Sequence, residues 1–315
     1  MAQFTWTFDS PSGVYKSHAM SEQLRYAAIV ETKFMQFVTP EPGYGKKRGE
    51  SVTVTRISRL VIPASGVLQE NVQIPEDVLT ITTVSITVLE WGRSVPYTSL
   101  STDLSEYNIE NIVQRALKDQ MKVVLDNASA ASFKTGQIKA EMTGVTSINF
   151  DTAGTPTQVA AANLNLFGIE QIRDYMYSTL NIPPFEGDDY ICLVSTKAKR
   201  GVMNDPAWEP WHRYTDPEAK YNSEIGRMEN IRFIEINNTG ALSPSPGTQV
   251  AQGEAVFFGA DAVAMAVAED PELRARIPTD YGRSRGVAWY GILQFGLVWT
   301  TANPGEARVV HLTSL

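Results

Sequence analysis

Apolar and polar positions fall into blocks of helical and extended period along the chain. Leu24, Ala27, Ala28, Val30, Phe34 and Phe37 recur at helical spacing and Pro40 stops the run, which predicts a helix. Two Thr-rich, β-branched runs, Ser51–Ile62 and Val78–Glu90, predict the arms of a long hairpin. The first places Val52, Val54, Leu60 and Ile62 on one face, interrupted by Arg56 and Ser58. The second slips parity, with Leu79 and Ile81 facing one way and Val84, Ile86 and Val88 the other, which reads as a bulge or a twist. The connection from Pro63 to Pro75 carries Val67, Leu68, Val72 and Ile74.

A long helix follows. Asp103 and Glu106 have capping-box spacing, and Ile109, Ile112, Val113, Ala116, Leu117, Val124 and Leu125 form a stripe of helical period. About 20 residues of helix span about 30 Å. Arg115, Lys118 and Lys122 share its other face. Gln137–Phe150 predicts a strand. A helix from Leu166 to Leu180 ends before Pro183–Pro184, and Tyr190–Ser195 is a short buried strand with a helix near Lys197–Met203 behind it. An aromatic, Pro-containing loop runs from Asn204 to Tyr221, and Ile231–Ile236 predicts a further strand. Ala255–Gly259 predicts a strand that leads into an Ala-rich helix, Asp261–Glu269, stopped by Pro271. Strand character returns in Gly286–Thr300 and in the run from Arg308 to Leu312. Strands and helices are segregated rather than alternating, which favours α+β with two subdomains and one extended hairpin.

Composition narrows the function classes. The chain has 315 residues, 43% hydrophobic and 20% charged, with a net charge of −8. An acidic balance argues against general nucleic-acid binding, which needs clustered Lys and Arg. The single cysteine, Cys192, forms no disulfide framework, and a reducing interior is the expected compartment. No signal peptide is visible in the first ten residues, and the longest apolar run, Ala262–Ala268, is too short to span a bilayer.

Candidate chemistry is sparse. Gly282–Gly286 matches the Gly-x-Ser-x-Gly nucleophile pattern around Ser284, but no buried strand precedes it, and Glu306 and His311 are the acid and histidine that follow. The stretch Gly43–Gly49 lacks the spacing of a phosphate loop. His18, His212 and His311 are isolated, so neither a metal nor another cofactor is implied. The acid pairs Asp188–Asp189 and Asp205–Glu209 read as solvated loop charges. Trp208, Trp211, Tyr214 and Tyr221 suggest loop packing or an interface. A long hairpin, an N-terminal arm and an aromatic loop describe an assembly protein better than an enzyme.

The order of these elements resembles the major capsid proteins of tailed phages, with the Hong Kong 97-type α+β fold. The stretch "YNSEIGRMENIRFIEINN" (Tyr221–Asn238) is similar to a signature of the N-four-type podovirus coat proteins. "EAVFFGADAVAMAVAE" (Glu254–Glu269) and "RGVAWYGILQFGLVWTTANPGEARVVHL" (Arg285–Leu312) resemble later segments of the same family. The resemblance implies an N-terminal arm (1–49), an E-loop hairpin (50–97), a P-domain with a spine helix (98–159), an A-domain (160–285) and closing P-domain strands (286–315). It implies self-assembly of hexamers and pentamers into an icosahedral shell around double-stranded DNA, within a host bacterial cytoplasm, with no membrane. A separate scaffolding protein and a portal are the implied partners; whether a decoration protein joins them is left open by the sequence. Arg56, Arg59, Leu60, Ile62, Val67, Leu68, Val72 and Ile74 are the expected inter-subunit contacts of the E-loop. Arg115, Lys118 and Lys122 are expected near the DNA, and Trp208, Trp211 and Tyr214 at A-domain contacts. Residues 50–97 contain no Lys, so the Lys–Asn cross-link of some relatives cannot start from this hairpin. An encapsulin-type compartment shares the fold and is the alternative; a serine hydrolase using Ser284 is a remote one.

Overall fold

The computed structural model describes residues 26–41, 45, 47–68, 70–206, 208, 224–243 and 253–315. Its strands gather into three sheets. A four-stranded sheet runs in the order β1 (Thr39–Pro40), β11 (Val263–Ala275), β12 (Ser284–Leu297), β4 (Leu89–Thr98). A two-stranded arm pairs β2 (Ser51–Ile57) with β3 (Ile81–Thr87). The third sheet has seven strands, ordered β6 (Ser147–Asp151), β5 (Ile138–Gly144), β13 (Val309–Ser314), β10 (Gly253–Phe258), β7 (Tyr190–Ser195), β9 (Ile231–Ile236), β8 (Glu224–Met228). The expected α+β class holds, and strands stand at 190–195 and 231–236 as the apolar runs there predict.

The sheets join segments that are far apart along the chain. β5, β6 and β13 share a sheet with β7 to β10, whereas β11 leaves that sheet to pair with β12. Strand pairing thus interleaves segments that the chain order had kept apart, because β13 lies parallel to β5 and antiparallel to β10. The expected single strand over Gln137–Phe150 is the hairpin β5–β6, turning between Gly144 and Ser147.

Helix α1 (Ser99–Leu104) precedes the spine helix α2 (Ile109–Lys134), whose 26 residues exceed the expected 20. The capping box is at Thr98 and Ser101, and Asn108 caps α2; Asp103 lies inside α1 and Glu106 in the link. Helix α3 (Leu166–Asp174) runs into a π turn, Tyr175–Thr179, and α4 (Thr196–Met203) starts at the Ser195 cap. One face of the seven-stranded sheet packs Ala140, Cys192, Phe257 and Leu312 against Ile169 and Ile172 of α3 and Ala198 and Val202 of α4. The other packs Ile191, Val256 and Phe258 against Leu125, Ala130 and Phe133 of α2.

Two expected helices are absent. Residues 26–33 have no regular structure, and the run contributes one 3-10 turn, Phe34–Phe37; Leu24 lies outside the described residues. Tyr26 sits on Arg115 and Phe34 on Phe133, so eight residues of arm pass eighteen residues of α2. That distance is about 27 Å at the helical rise. A helix of eight residues covers about 12 Å, so only near-extended chain, at about 3.3 Å per residue, reaches. The Ala-rich run at 261–269 is the start of strand β11. Its period of two is masked because both faces are apolar. Val263, Met265 and Val267 face the core under α2, while Ala264 and Ala266 face the β2–β3 arm. Pro271 sits where the β11–β12 register shifts, a position where its missing N–H is tolerated.

Candidate assembly surface

The β2–β3 arm pairs in continuous register from Ser51↔Thr87 to Ile57↔Ile81. Of the two readings of the parity slip, a bulge is absent from the paired span; Leu79 and Ile81 are exposed, at 50% and 60%. The inner face of the arm alternates Val52, Val54 and Arg56 with Thr82, Val84 and Ile86. Val52 and Ile86 are buried against Ala264, Ala266 and Val298 of the same chain. Contact is close: a Cβ on Gly296 would stand 2.8 Å from Ile86 Cγ1. Small residues on β11 and β12 are what let the root of the arm lie down on the four-stranded sheet.

Arg56 belongs to that root and not to the free surface expected of it. It is 8% exposed, and its Nη1 donates to Val298 O at 3.3 Å and Thr300 Oγ1 at 3.1 Å. Its guanidinium lies over Trp299, which also carries Arg308 at 4.9 Å from the ring centroid. The alternation had marked Arg56 as an interruption of an apolar face. What it could not reveal was the receiving surface, Val298 to Thr300, some 240 residues away in sequence.

Past the Ser58 N–H to Thr80 carbonyl hydrogen bond at 3.0 Å the two arms separate, and the described residues of 59–79 carry no strand. Val61, Ile62, Val67, Leu68, Val72, Ile74 and Val78 are each 58–85% exposed, and Leu60 is 45% exposed. Arg59 is exposed as well. A cleft of about 510 Å³ lies where this segment leaves the body, between Ser58–Ile62, Thr80 and the turn Asn303–Glu306. The Glu306 carboxyl in its wall is held below the usual carboxylate range, first by the hydrogen bond from Thr301 Oγ1 at 2.5 Å. So many exposed apolar side chains within one short segment make it a candidate interaction surface.

Arg115, Lys118 and Lys122 are exposed on one face of α2, and the Arg115 guanidinium stacks 3.9 Å from the Tyr26 ring centroid. Trp208, expected at a surface contact, is instead buried edge-on against Phe233 with centroids 6.2 Å apart. A large indole follows the hydrophobic core when one is in reach. Trp211 and Tyr214 lie outside the described residues.

The remaining chemical candidates resolve into structural roles. Ser284 begins strand β12 and does not sit on a strand-to-helix elbow; its Oγ accepts from Arg276 at 3.3 Å. His311 lies in the other sheet, bonded to Glu254. Asp189, 5% exposed, is clamped by Arg227 at 2.6 Å and Arg232 at 2.9 Å, and Asp205 accepts the Leu166 N–H at the start of α3. Among the described residues no group of three or more His, Cys, Asp or Glu could hold a metal, and no helix is long and apolar enough to cross a membrane.

No protein-family model and no curated protein matches the chain. Solved structures do. The chain is similar to the capsid asymmetric unit of cyanophage Pam1 over 100% of its own length and 99% of that chain, with TM-score 0.74 and 12% identity. It is similar to the acidic stable capsid structure of Helicobacter pylori bacteriophage KHP30, with 95% of each chain covered, TM-score 0.69 and 13% identity. It is also similar to the capsid of Ralstonia phage GP4, covering 99% and 98%, with TM-score 0.68 and 15% identity. The chain therefore has the fold of phage capsid proteins, the Hong Kong 97-type α+β architecture.

Proposed function

We propose that this chain is the major capsid protein of a tailed phage, and that it acts by assembling with copies of itself into an icosahedral shell around double-stranded DNA. The observation that carries this reading is the segment Ser58–Thr80. It exposes a run of apolar side chains that its own chain leaves uncovered, on a fold shared over nearly full length with phage capsids. In this reading residues 50–97 are the E-loop, and Arg59, Leu60, Ile62, Val67, Leu68, Val72 and Ile74 bury against a neighbouring subunit. Arg56 acts upstream of that contact, by fixing the root from which the loop projects.

A specific contact buries on the order of 1,000 Å². Apolar burial contributes about 25 cal/mol per Å², much of it offset by lost freedom. Individually modest contacts become a stable shell through their number per subunit. Arg115, Lys118 and Lys122 face the packaged genome and temper the repulsion between it and an acidic protein. Assembly takes place in the host bacterial cytoplasm, with a separate scaffolding protein and a portal as partners. Electron microscopy of the protein, expressed alone and with the candidate scaffold, tests the reading. Shells, tubes or sheets with hexameric spacing are expected. A stable monomer under both conditions would overturn it.

A further inference from the structure

The face of the seven-stranded sheet that carries α2 turns polar where the helix ends. Residues of β5 alternate Ile138, Ala140 and Met142 toward one core with Lys139 and Glu141 on the opposite face. Register places Lys139 beside His311 on β13, and His311 beside Val256 on β10. The charged groups here are almost wholly buried: Lys139 is 6% exposed, Glu141 1% and Glu254 2%, and the His311 side chain is 12% exposed.

The contacts fix the protonation of the ring. His311 Nε2 is 2.6 Å from Glu254 Oε1, and Nδ1 is 3.3 Å from Lys139 Nζ. A lysine ammonium only donates, so Nδ1 must accept, and the hydrogen sits on Nε2 and points at the carboxylate. Lys139 Nζ also donates to the carbonyl of Lys134 in the last turn of α2, at 2.6 Å. Lys134 Nζ lies 3.5 Å from Glu254 Oε1 and donates to Ala241 O at 2.8 Å, while Glu254 Oε2 accepts the Ser243 N–H at 2.6 Å. One neutral imidazole therefore closes a circuit that joins the end of α2, the sheet and the 241–243 turn.

We propose that His311 is an acid-released latch between the C-terminal end of the spine helix and the seven-stranded sheet. A second proton on the ring can only go to Nδ1, where the new N–H points at the Lys139 ammonium. Two donors and two like charges then share a buried 3.3 Å contact. Lys139 must withdraw, and its bond to the Lys134 carbonyl goes with it. The groups facing the ring are Lys134 on α2, Lys139 on β5 and Glu254 on β10; Glu141 acts on Lys139 from one step further along β5. Burial holds the His311 pKa below its ordinary 6.5, the Glu254 hydrogen bond opposes that, and the two lysines reinforce it. With the folded value depressed, the unfolded chain takes up the proton first, so the latch is fully stabilising above pH 6.5 and weakens as pH falls through and below it.

The test is amide hydrogen exchange of residues 134–139 and 241–243 in the full chain at pH 7 and pH 5, corrected for intrinsic rates, for wild type and His311→Gln. In the wild type, opening is expected to become about tenfold more frequent for each pH unit by which the folded pKa lies under the ordinary one. In the variant the change specific to these residues is expected to vanish. An equal acceleration in both proteins would overturn the proposal. Nitrogen NMR of the wild-type imidazole gives a readout that survives a variant that fails to fold. The Nε2–H tautomer is expected at pH 7, with Nδ1 taking the proton on acidification; an Nδ1–H tautomer or an imidazolium at pH 7 would overturn it. Neither measurement depends on shell formation, so the latch and the capsid reading stand or fall separately.

Discussion

Asp126 Oδ1 accepts the backbone N–H of Phe34 at 2.8 Å, from a carboxyl group with no solvent exposure in the middle of the spine helix. The same oxygen accepts from Met35, and Oδ2 from Asn238. A side chain of α2 thus caps the 3-10 turn that pins the N-terminal arm beneath the sheet. Burial raises its pKa, while these hydrogen bonds work to lower it. The acceptor oxygen therefore matters more than the charge. Asp126→Ala is expected to cost about 2–3 kcal/mol, because buried donors lose their partner. Asp126→Asn, which keeps an acceptor, is expected to cost clearly less. Denaturant unfolding of both variants checks the order.

Gly296 sits under Ile86, with room for no Cβ. Gly296→Ala is expected to lift the root of the arm and to cost about 1–3 kcal/mol, the usual range for overpacking. Ile86→Ala in the same chain should return part of that loss. A double-mutant cycle with near-zero coupling would show that the contact is not the cause.

Replacing Val67, Leu68, Val72 and Ile74 by Ser removes apolar surface that the single chain leaves exposed. Melting of the subunit should stay within a degree or two, on the order of 0.5 kcal/mol for surface changes. Assembly, followed by sedimentation and microscopy, should fail. Deleting Pro63–Pro75 should do the same. Unfolding of the subunit in either case would mean that the segment packs within its own chain.

Arg115, Lys118 and Lys122, changed together to Gln, should leave the empty shell intact and lower the amount of genome retained. Full packaging in the triple variant would remove these residues from any role near DNA.

Glu141 supplies a pH effect opposite in sign to that of His311. Its carboxyl is pushed up to about 7, first by burial, and Asp151 beside it adds to the rise. A raised folded pKa favours the protonated form, so its contribution is complete below the ordinary 4.5 and is lost as pH rises through about 7. Glu141→Gln, permanently neutral, should gain melting temperature relative to wild type between pH 5 and pH 8, on the order of 5 °C. A constant difference across that range would remove Glu141 from the pH profile.

Sequence patterning succeeded where one face of an element was buried and the other was not, or where a short strand was buried throughout. Tyr190–Ser195, Ile231–Ile236 and the apolar stripe of α2 are of that kind. It failed where tertiary contact sets the conformation. The Ala-rich start of β11 has helical propensity, and its pairing with β12 and β1, under the arm that lies across Ala264 and Ala266, makes it a strand. Tyr26–Phe37 repeats like a helix but follows anchors spread along α2. For the assembly surface, the exposed segment was legible as apolar residues between two prolines. The role of Arg56 was not, because its partners are the Val298 carbonyl and the Thr300 hydroxyl, and a carbonyl leaves no signature in sequence. The Lys139, His311 and Glu254 cluster was not legible, because strand pairing alone brings the three segments together.

Strands β3 and β4 are separated by Val88 alone, so Ile81–Thr98 is nearly one rod shared by the arm and the four-stranded sheet. On the other side the arm returns to the body through residues 41–50, where the described positions carry no helix or strand. The arm, seated at its root by Val52, Ile86 and Arg56, therefore follows the twist of the sheet through β4. Any strain that bends that sheet is magnified at the far end of the loop, so the direction in which the loop projects is set within the subunit.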